Sequence, residues 1–359
     1  MSRLRGPIRV LSIDGGGIRG YAPALVLADL ERRRQKLGKP GSLASRFDLV
    51  AGTSTGALIA LALQAQDGEG GPGRAIKEMR GSGSILGRPA FDAPRRFTCA
   101  QVAELYERRG GELFPRHRHE SIGLVRQALS SKYDAEPLER FLREALGETR
   151  LSQAAGPVLV TSYDPEHDES LVMKNLGDGP DFLARDAARA SSAAPTYFPA
   201  ARIRELPPPG APELAAGQIR MRTLVDGGLF ANNPAMCAWV EARKLRPDAR
   251  RFLVVSLGTG GAVRAWNIGR LARWGYLDWI DPGKGSPLLA MMGRAQSESV
   301  DWMLSHLPGI DYVRLDPDLS ADACAIDDAS PANLARLRAA ALDLIADNEA
   351  LLEDLAARL

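Results

Sequence analysis

The stretch FDLVAGTSTG, residues 47–56, decides the fold, because it joins a short apolar strand to a helix through a glycine-flanked serine. Phe47–Val50 predicts the strand, and the alanine- and leucine-rich run Thr55–Gln66 predicts the helix. Between them, GTSTG has the G-x-S-x-G pattern of a nucleophile elbow. Small residues allow a sharp turn that exposes the Ser54 hydroxyl, and the helix aims its free N–H groups at the same place. The alternative is a turn that only caps the helix.

The same alternation of strand and helix runs through the rest of the chain. Short apolar runs predict strands at 9–13, 47–50, 158–162, 223–225, 252–257 and 312–315. Longer segments predict helices near 21–37, 55–66, 99–109, 134–146, 181–191, 234–245, 287–306 and 331–358. Apolar strands separated by helices indicate the α/β class, with a mainly parallel sheet covered by helices on both faces.

Composition excludes several classes of protein. The 359 residues carry 46 Lys and Arg against 44 Asp and Glu, which lacks the basic excess of a nucleic-acid binder. The three cysteines lie far apart, so we expect neither a zinc ribbon nor a disulfide scaffold, and no metal or other cofactor. No apolar run reaches about 18 residues, and the N-terminal segment lacks a signal-peptide core. We therefore expect a cytoplasmic protein that meets a membrane only from its surface.

A glycine-rich loop, Asp14–Gly20 (DGGGIRG), follows the first predicted strand. Consecutive glycines expose backbone N–H groups and allow an anionic group to approach closely. Gly15, Gly17 and Gly20 also fit G-x-G-x-x-G, so a dinucleotide-binding oxidoreductase is an alternative. That fold needs an acidic residue at the end of the second strand, and this chain has none there. The loop is better interpreted as an oxyanion hole for Ser54.

A third motif, Asp226-Gly227-Gly228, follows the strand predicted at 223–225. The carboxyl ends of parallel strands meet at one edge of a sheet, so we expect Asp226 beside Ser54. A carboxylate there can accept the serine proton, although Asp-Gly is also a common turn. A Ser-His-Asp triad in hydrolase order needs a later histidine. Only His306 follows, and it lies in a predicted amphipathic helix.

Taken in order, these motifs resemble those of the patatin-like phospholipase family. DGGGIRG (14–20), GTSTG (52–56) and DGG (226–228) match its motifs, and ASSAAPTYFP (190–199) is similar to a segment that many members carry. Gly228 stands where many members have alanine. The resemblance implies a three-layer α/β/α fold, with a catalytic core over residues 8–260 and a mainly helical part, 261–359, packed on the same domain.

The resemblance also implies hydrolysis of lipid acyl esters, with membrane phospholipid as the substrate. It implies a Ser–Asp dyad, in which Ser54 is the nucleophile and Asp226 the base. The backbone of Gly15, Gly16 and Gly17 would form the oxyanion hole, and Arg19 would hold that loop. The other motif glycines are Gly20, Gly52, Gly56, Gly227 and Gly228. A non-catalytic lipid-binding protein with this fold is the alternative.

Bacterial phospholipases of the cyclic-oligonucleotide-based anti-phage systems (CBASS) resemble this chain in length and layout. This resemblance implies a dormant enzyme that a cyclic dinucleotide switches on, and a homo-oligomer is a further expectation. We also expect contact with the inner membrane surface through the glycine-rich segment 67–94 and the arginine-rich segment 88–119. Anionic lipids attract such residues, whereas an ordinary solvated loop is the alternative.

Overall fold

The computed structural model describes residues 6–66, 95–114, 131–177, 179–209, 211, 220–261, 273–275, 278–279, 287–320, 323 and 325–359. The strands are β1 (Ile8–Ile13), β2 (Leu49–Gly52), β3 (Val158–Asp164), β4 (Glu169–Lys174), β5 (Ala201–Arg204), β6 (Met221–Asp226), β7 (Phe252–Leu257) and β8 (Ile310–Leu315). The helices are α1 (Tyr21–Lys36), α2 (Thr55–Gln64), α3 (Cys99–Leu113), α4 (Glu136–Leu146), α5 (Ala184–Ser191), α6 (Gly228–Ala231), α7 (Ala235–Leu245), α8 (Pro287–His306), α9 (Pro331–Asp347) and α10 (Glu349–Arg358).

These strands form one sheet in the order β5-β6-β3-β2-β1-β7-β8, with β4 paired to β3. Five neighbouring strands, β3, β2, β1, β7 and β8, run parallel to one another, and β8 lies at the edge of the sheet. Parallel neighbours need crossovers, which helices such as α1 and α2 provide. The mainly parallel sheet expected from the sequence is confirmed.

Helices cover both faces of the sheet, and the alternation of side chains along each strand shows why. In β1, Leu11 and Ile13 pack in the hydrophobic cluster that includes α1 and α2 residues, whereas Ile8 and Val10 pack in the cluster that includes α7 and α8 residues. Successive side chains of a strand point to opposite faces, so a strand buried on both sides is apolar throughout. The three-layer α/β/α prediction is confirmed.

The antiparallel end of the sheet differs from expectation. The long strand β3 pairs with β2 through residues 158–160 and, beyond the end of β2, with β6 at residues 162–163. The other edge of β3 is occupied by β4 along residues 159–164. Therefore β2 and β6 lie end to end on one edge of β3 and approach each other from opposite directions. The expectation that Asp226 ends a parallel strand is wrong, and β4 and β5 were not predicted.

The part of the chain after residue 260 contributes to the same sheet and the same core. β8 pairs with β7, and Leu337 of α9 and Leu352 of α10 belong to the cluster that contains α1. The run predicted as one helix, 331–358, is divided at Asn348 into α9 and α10. The boundary at residue 260 stays a prediction. None of the helices described is both long and apolar enough to cross a membrane.

Candidate active site

Ser54 occupies a strained turn between β2 and α2. Its φ of 54° and ψ of −120° are unusual for a residue with a side chain, and such conformations cluster at functional sites. Two glycines make the turn possible. A Cβ on Gly52 would collide with the carbonyl of Gly56, and a Cβ on Gly56 would collide with the carbonyl of Ile13. The predicted elbow geometry follows from this close contact between strand and helix.

Asp226 is the last residue of β6 and lies where the ends of β6 and β2 meet on one edge of β3. Its side chain is buried, and Oδ1 accepts a hydrogen bond of 2.8 Å from the N–H of Gly228. Burial raises the pKa of this carboxyl to about 6, although hydrogen bonds from the Ser54 side chain and the Gly228 amide oppose the rise. A carboxylate with a pKa near neutrality, lining the same cavity as Ser54, suits general-base chemistry.

The segment 190–199 forms hydrogen bonds with both Ser54 and Asp226. The Ser191 hydroxyl accepts a hydrogen bond of 2.9 Å from the N–H of Ser54. Two residues later, the carbonyl of Ala193 accepts one of 3.0 Å from the N–H of Asp226. The sequence drew attention to this segment only through its resemblance to a family motif. Nothing in its residue types indicated that it would join the serine to the aspartate.

The amides of the glycine loop differ in their hydrogen bonds. The N–H of Gly15 donates to the carbonyl of Asn232 at 3.1 Å, whereas those of Gly16 and Gly17 donate to no acceptor among the residues described. Gly17 has a φ of 59°, and a Cβ there would collide with the carbonyl of Ile326. Of the three amides predicted to form an oxyanion hole, that of Gly15 is already bonded, so Gly16 and Gly17 stay as the candidate donors.

Arg19 and the remaining motif glycines support this arrangement. Arg19 Nη1 donates to the carbonyl of Gly260 at 2.8 Å, and its Nε donates to the carbonyl of Gly16 at 3.3 Å. Gly20 precedes the first residue of α1, and Gly227 precedes that of α6. The Arg19 side chain thus ties the loop to the turn after β7.

A cavity of about 790 Å³ contains the serine, the aspartate and the glycine loop. Ser54, Asp226, Gly16 and Gly17 line it. One part of its wall is apolar and is formed by Leu58, Tyr106, Leu113, Phe114, Leu138 and Phe198. Cavities of this size with an apolar lining and a few polar groups commonly bind organic ligands.

The histidines that the structure describes do not join this site. The exposed His306 ring packs on Trp302, with 4.8 Å between ring centroids. His167 instead contacts Asp164 at 3.0 Å, a carboxylate that also pairs with Arg222. No group of three His, Cys, Asp or Glu side chains suited to a metal occurs within the described ranges.

Most of the predicted membrane contact lies outside the described residues, including segment 67–94 and the stretch 115–119. Within residues 95–114, Arg108 pairs with Glu104 at 2.7 Å, and Arg109 pairs with Glu112 and Glu144. Paired arginines of this kind fit the solvated-surface alternative for that part of the segment.

A serine at an elbow, a buried carboxylate and a loop with free amides on a three-layer sheet define a nucleophile-elbow protein of the α/β class. The model of the family described as "Patatin-like phospholipase" matches residues 11–239. The chain therefore belongs to the patatin-like phospholipase family, for which lipid acyl hydrolysis is the activity indicated. This membership argues against the dinucleotide-binding oxidoreductase.

Plant proteins are among the most similar relatives. Patatin-like protein 2 of Arabidopsis thaliana is 33% identical, over 91% of this chain and 80% of the relative. Patatin-like protein 2 of Oryza sativa subsp. indica is 32% identical, over 92% of this chain and 82% of the relative. The probable inactive patatin-3-Kuras 1 of Solanum tuberosum is 30% identical, over 91% and 83%. Membership alone therefore does not establish catalysis, and the residues of the site must decide.

Proposed function

We propose that this protein is a serine lipid acyl hydrolase that cleaves the acyl esters of membrane phospholipids through Ser54 and Asp226. One observation supports this most directly: the buried Asp226 carboxyl lines the same cavity as Ser54, and its raised pKa is opposed by the Ser54 side chain. No cation contributes to the raised pKa of Asp226, and no described histidine contacts either residue. The carboxyl is therefore the proton acceptor that the serine needs.

The proposed reaction has two halves. Ser54 Oγ attacks the ester carbonyl carbon while Asp226 takes its proton, and the amides of Gly16 and Gly17 stabilise the oxyanion. Collapse of the tetrahedral intermediate breaks the bond to the alcohol, which leaves with the proton from Asp226. Water then attacks the acyl-serine and loses its proton to Asp226. The acyl–Oγ bond breaks, Ser54 Oγ regains the proton from Asp226, and the fatty acid leaves. A base with a pKa of about 6 can both accept and return this proton.

The apolar wall supports a lipid substrate rather than a small polar ester. Leu58, Phe114 and Phe198 lie on this wall of the cavity that holds Ser54. Burying a methylene of an acyl chain against such side chains is worth about 0.8 kcal/mol. Several methylenes together would give an acyl chain much tighter binding than a short ester.

The test is the release of fatty acid from phosphatidylcholine vesicles. Ser54→Ala is expected to lose activity by about 10⁴-fold or more, because the nucleophile is absent. A fluorophosphonate probe is expected to label wild type at Ser54. His306→Ala is the matched control and should retain activity, since its ring packs on Trp302 away from the cavity residues.

Two results would contradict this proposal. Labelling at another serine, or full activity in Ser54→Ala, would exclude the assigned nucleophile. A folded wild type that binds vesicles without releasing fatty acid would favour the non-catalytic lipid-binding alternative.

Control by a cyclic dinucleotide, homo-oligomer formation and action at the inner membrane surface stay predictions based on resemblance. A ligand that moves the enzyme from 1:99 to 99:1 must favour the active state by about 10⁴-fold. Hydrolysis and sedimentation of the purified protein, with and without a panel of cyclic dinucleotides, test this control. Full activity without ligand, unchanged across the panel, would exclude the switch while leaving the hydrolase proposal intact.

A further inference from the structure

The glycine loop begins at a buried ion pair with a residue from the far end of the chain. Asp14 follows β1 directly and is 2% exposed. Arg314, on the edge strand β8, donates from Nη2 to Asp14 Oδ2 at 2.7 Å. Arg314 lies outside the part of the chain that the family model matches, residues 11–239.

The guanidinium of Arg314 is fixed on several sides. Nη1 donates to the Ser256 hydroxyl at 2.9 Å, and Nη2 also lies 3.1 Å from Asp316 Oδ2. Nε is 3.5 Å from Asp301 Oδ2 on α8. A planar guanidinium bonded to Ser256 and Asp316, with Asp301 nearby, presents Nη2 to Asp14 in a restricted orientation.

Other contacts from the same late part of the chain reach the loop. The Thr259 hydroxyl donates to the carbonyl of Gly15 at 2.6 Å, and the N–H of Ile18 donates to the carbonyl of Ile326 at 2.8 Å. Asp316 also accepts a hydrogen bond of 2.8 Å from the N–H of Gly260, whose carbonyl binds Arg19. The loop is therefore held from outside by residues that follow position 239.

We propose that Arg314 is a positioning residue for the glycine loop. Its ion pair with Asp14 fixes the start of the loop and thereby directs the amides of Gly16 and Gly17 into the cavity that contains Ser54. The proposal rests on the function proposed above, in which those amides stabilise the oxyanion. Arg314 itself is not assigned any contact with the reacting atoms.

The electrostatics of the pair support this role. Burial raises the pKa of Asp14 to about 7, Arg314 opposes the rise, and the charges of Asp316 and Asp301 add to it. Without Arg314, the Asp14 carboxyl would be neutral at neutral pH and would lose its anchor on β8. The simpler alternative is an ion pair that only stabilises the fold.

Arg314→Met and Arg314→Lys test the proposal, with kcat and KM measured on phosphatidylcholine vesicles well below the unfolding temperature. Displacement of the oxyanion donors is expected to lower kcat about 10²-fold in Arg314→Met, with KM changed less than about twofold. Arg314→Lys keeps the charge without the planar geometry and should fall between Arg314→Met and wild type.

Arg358→Met is the matched control. Arg358 pairs with Asp311 on the same strand β8, but near the opposite end from Arg314. A purely stabilising role predicts that Arg314→Met and Arg358→Met both lose stability while the folded enzyme keeps its kcat. That result would overturn the proposal.

A second measurement separates this inference from the proposed function. Hydrogen exchange of the peptide that contains residues 14–20 is expected to accelerate in Arg314→Met and not in Arg358→Met. If wild type releases no fatty acid, the proposed function fails, yet exchange still shows whether Arg314 holds the loop. If Arg314→Met does not fold, the same two measurements are made on Arg314→Lys. Hydrogen exchange and kcat equal to those of wild type in Arg314→Lys would then refute the inference.

Discussion

Asp14-Gly15-Gly16 and Asp226-Gly227-Gly228 are the same three residue types in the same local setting, yet they differ in their partners. Each aspartate lies at the end of a strand, and the two are 2% and 6% exposed. Asp14 faces a guanidinium, whereas Asp226 faces a serine hydroxyl and a backbone amide. The comparison shows that an Asp-Gly-Gly motif acquires its chemistry from the sequence-distant side chain that faces it.

The two carboxyls also differ in how their burial is compensated. Burial raises the pKa of Asp14 to about 7 although Arg314 opposes the rise, and the charges of Asp316 and Asp301 add to it. The pKa of Asp226 is about 6 with hydrogen bonds alone. In Asp14 the ion pair serves to anchor a loop, whereas in Asp226 the affinity for a proton can serve the reaction.

The largest expected effect is a difference in kcat between the Asp226→Asn and Asp14→Asn variants. Asp226→Asn removes the proton acceptor and is expected to lower kcat about 10²-fold or more. Asp14→Asn can still accept a hydrogen bond from Arg314, so only the position of the loop changes, and a loss of about tenfold is expected. Parallel assays of fatty acid release measure both. Equal losses of kcat in the two variants would contradict the assignment of Asp226 as the base and of Asp14 as the residue that holds the loop.

The pH profile sharpens the comparison further. Below pH 6 the Asp226 carboxyl is protonated and cannot accept the serine proton, so kcat/KM should fall about tenfold per pH unit there. Asp14, which faces Arg314, Asp301 and Asp316, becomes protonated below about pH 7 and should add a shallower loss between pH 7 and 6. Asp14→Asn should abolish this upper step and keep the lower one. A profile unaltered by Asp14→Asn would show that ionisation of Asp14 does not influence the rate.

The smallest expected effect concerns stability. The pKa of Asp226 is raised from 3.8 to about 6 on folding, so the free energy of unfolding declines as pH rises through that window. Asp226→Asn has no proton to lose and should be more stable than wild type at pH 8, by about 1–3 kcal/mol. The difference should vanish near pH 4. Urea unfolding at both pH values measures it, and Ser54→Ala, which also impairs catalysis but leaves the Asp226 carboxylate in place, should show no such gain.

Much of this fold could be predicted because its central strands are local and apolar. The run 252–257 gives β7 with the predicted bounds, and the elbow follows from the glycines around Ser54. The predicted second strand, 47–50, lies two residues too early, because β2 continues through the small residues Ala51 and Gly52. Periodicity locates such elements, but small residues blur their ends.

The direction of β6 and the anchor of the loop could not be predicted from local pattern. β6 pairs antiparallel with the part of the seven-residue strand β3 that extends beyond β2, and this pairing is a property of the assembled sheet. The loss of Gly15 as an amide donor depends on Asn232, and the role of Asp14 depends on Arg314. Each of these partners is remote in sequence, so no window around the motif contains it.

The end-to-end meeting of β2 and β6 has a consequence for synthesis on the ribosome. Ser54 emerges early with its strand and helix, but Asp226 reaches it only after β3 has formed and β6 has paired alongside. The glycine loop gains its ion pair between Asp14 and Arg314 later still, once β8 has been translated. Since long-range strand pairing forms late, the proposed catalytic centre is expected to be complete only after β8 has been translated and has paired with β7. A chain that ends before β8 is therefore expected to lack the ion pair that holds the start of the glycine loop.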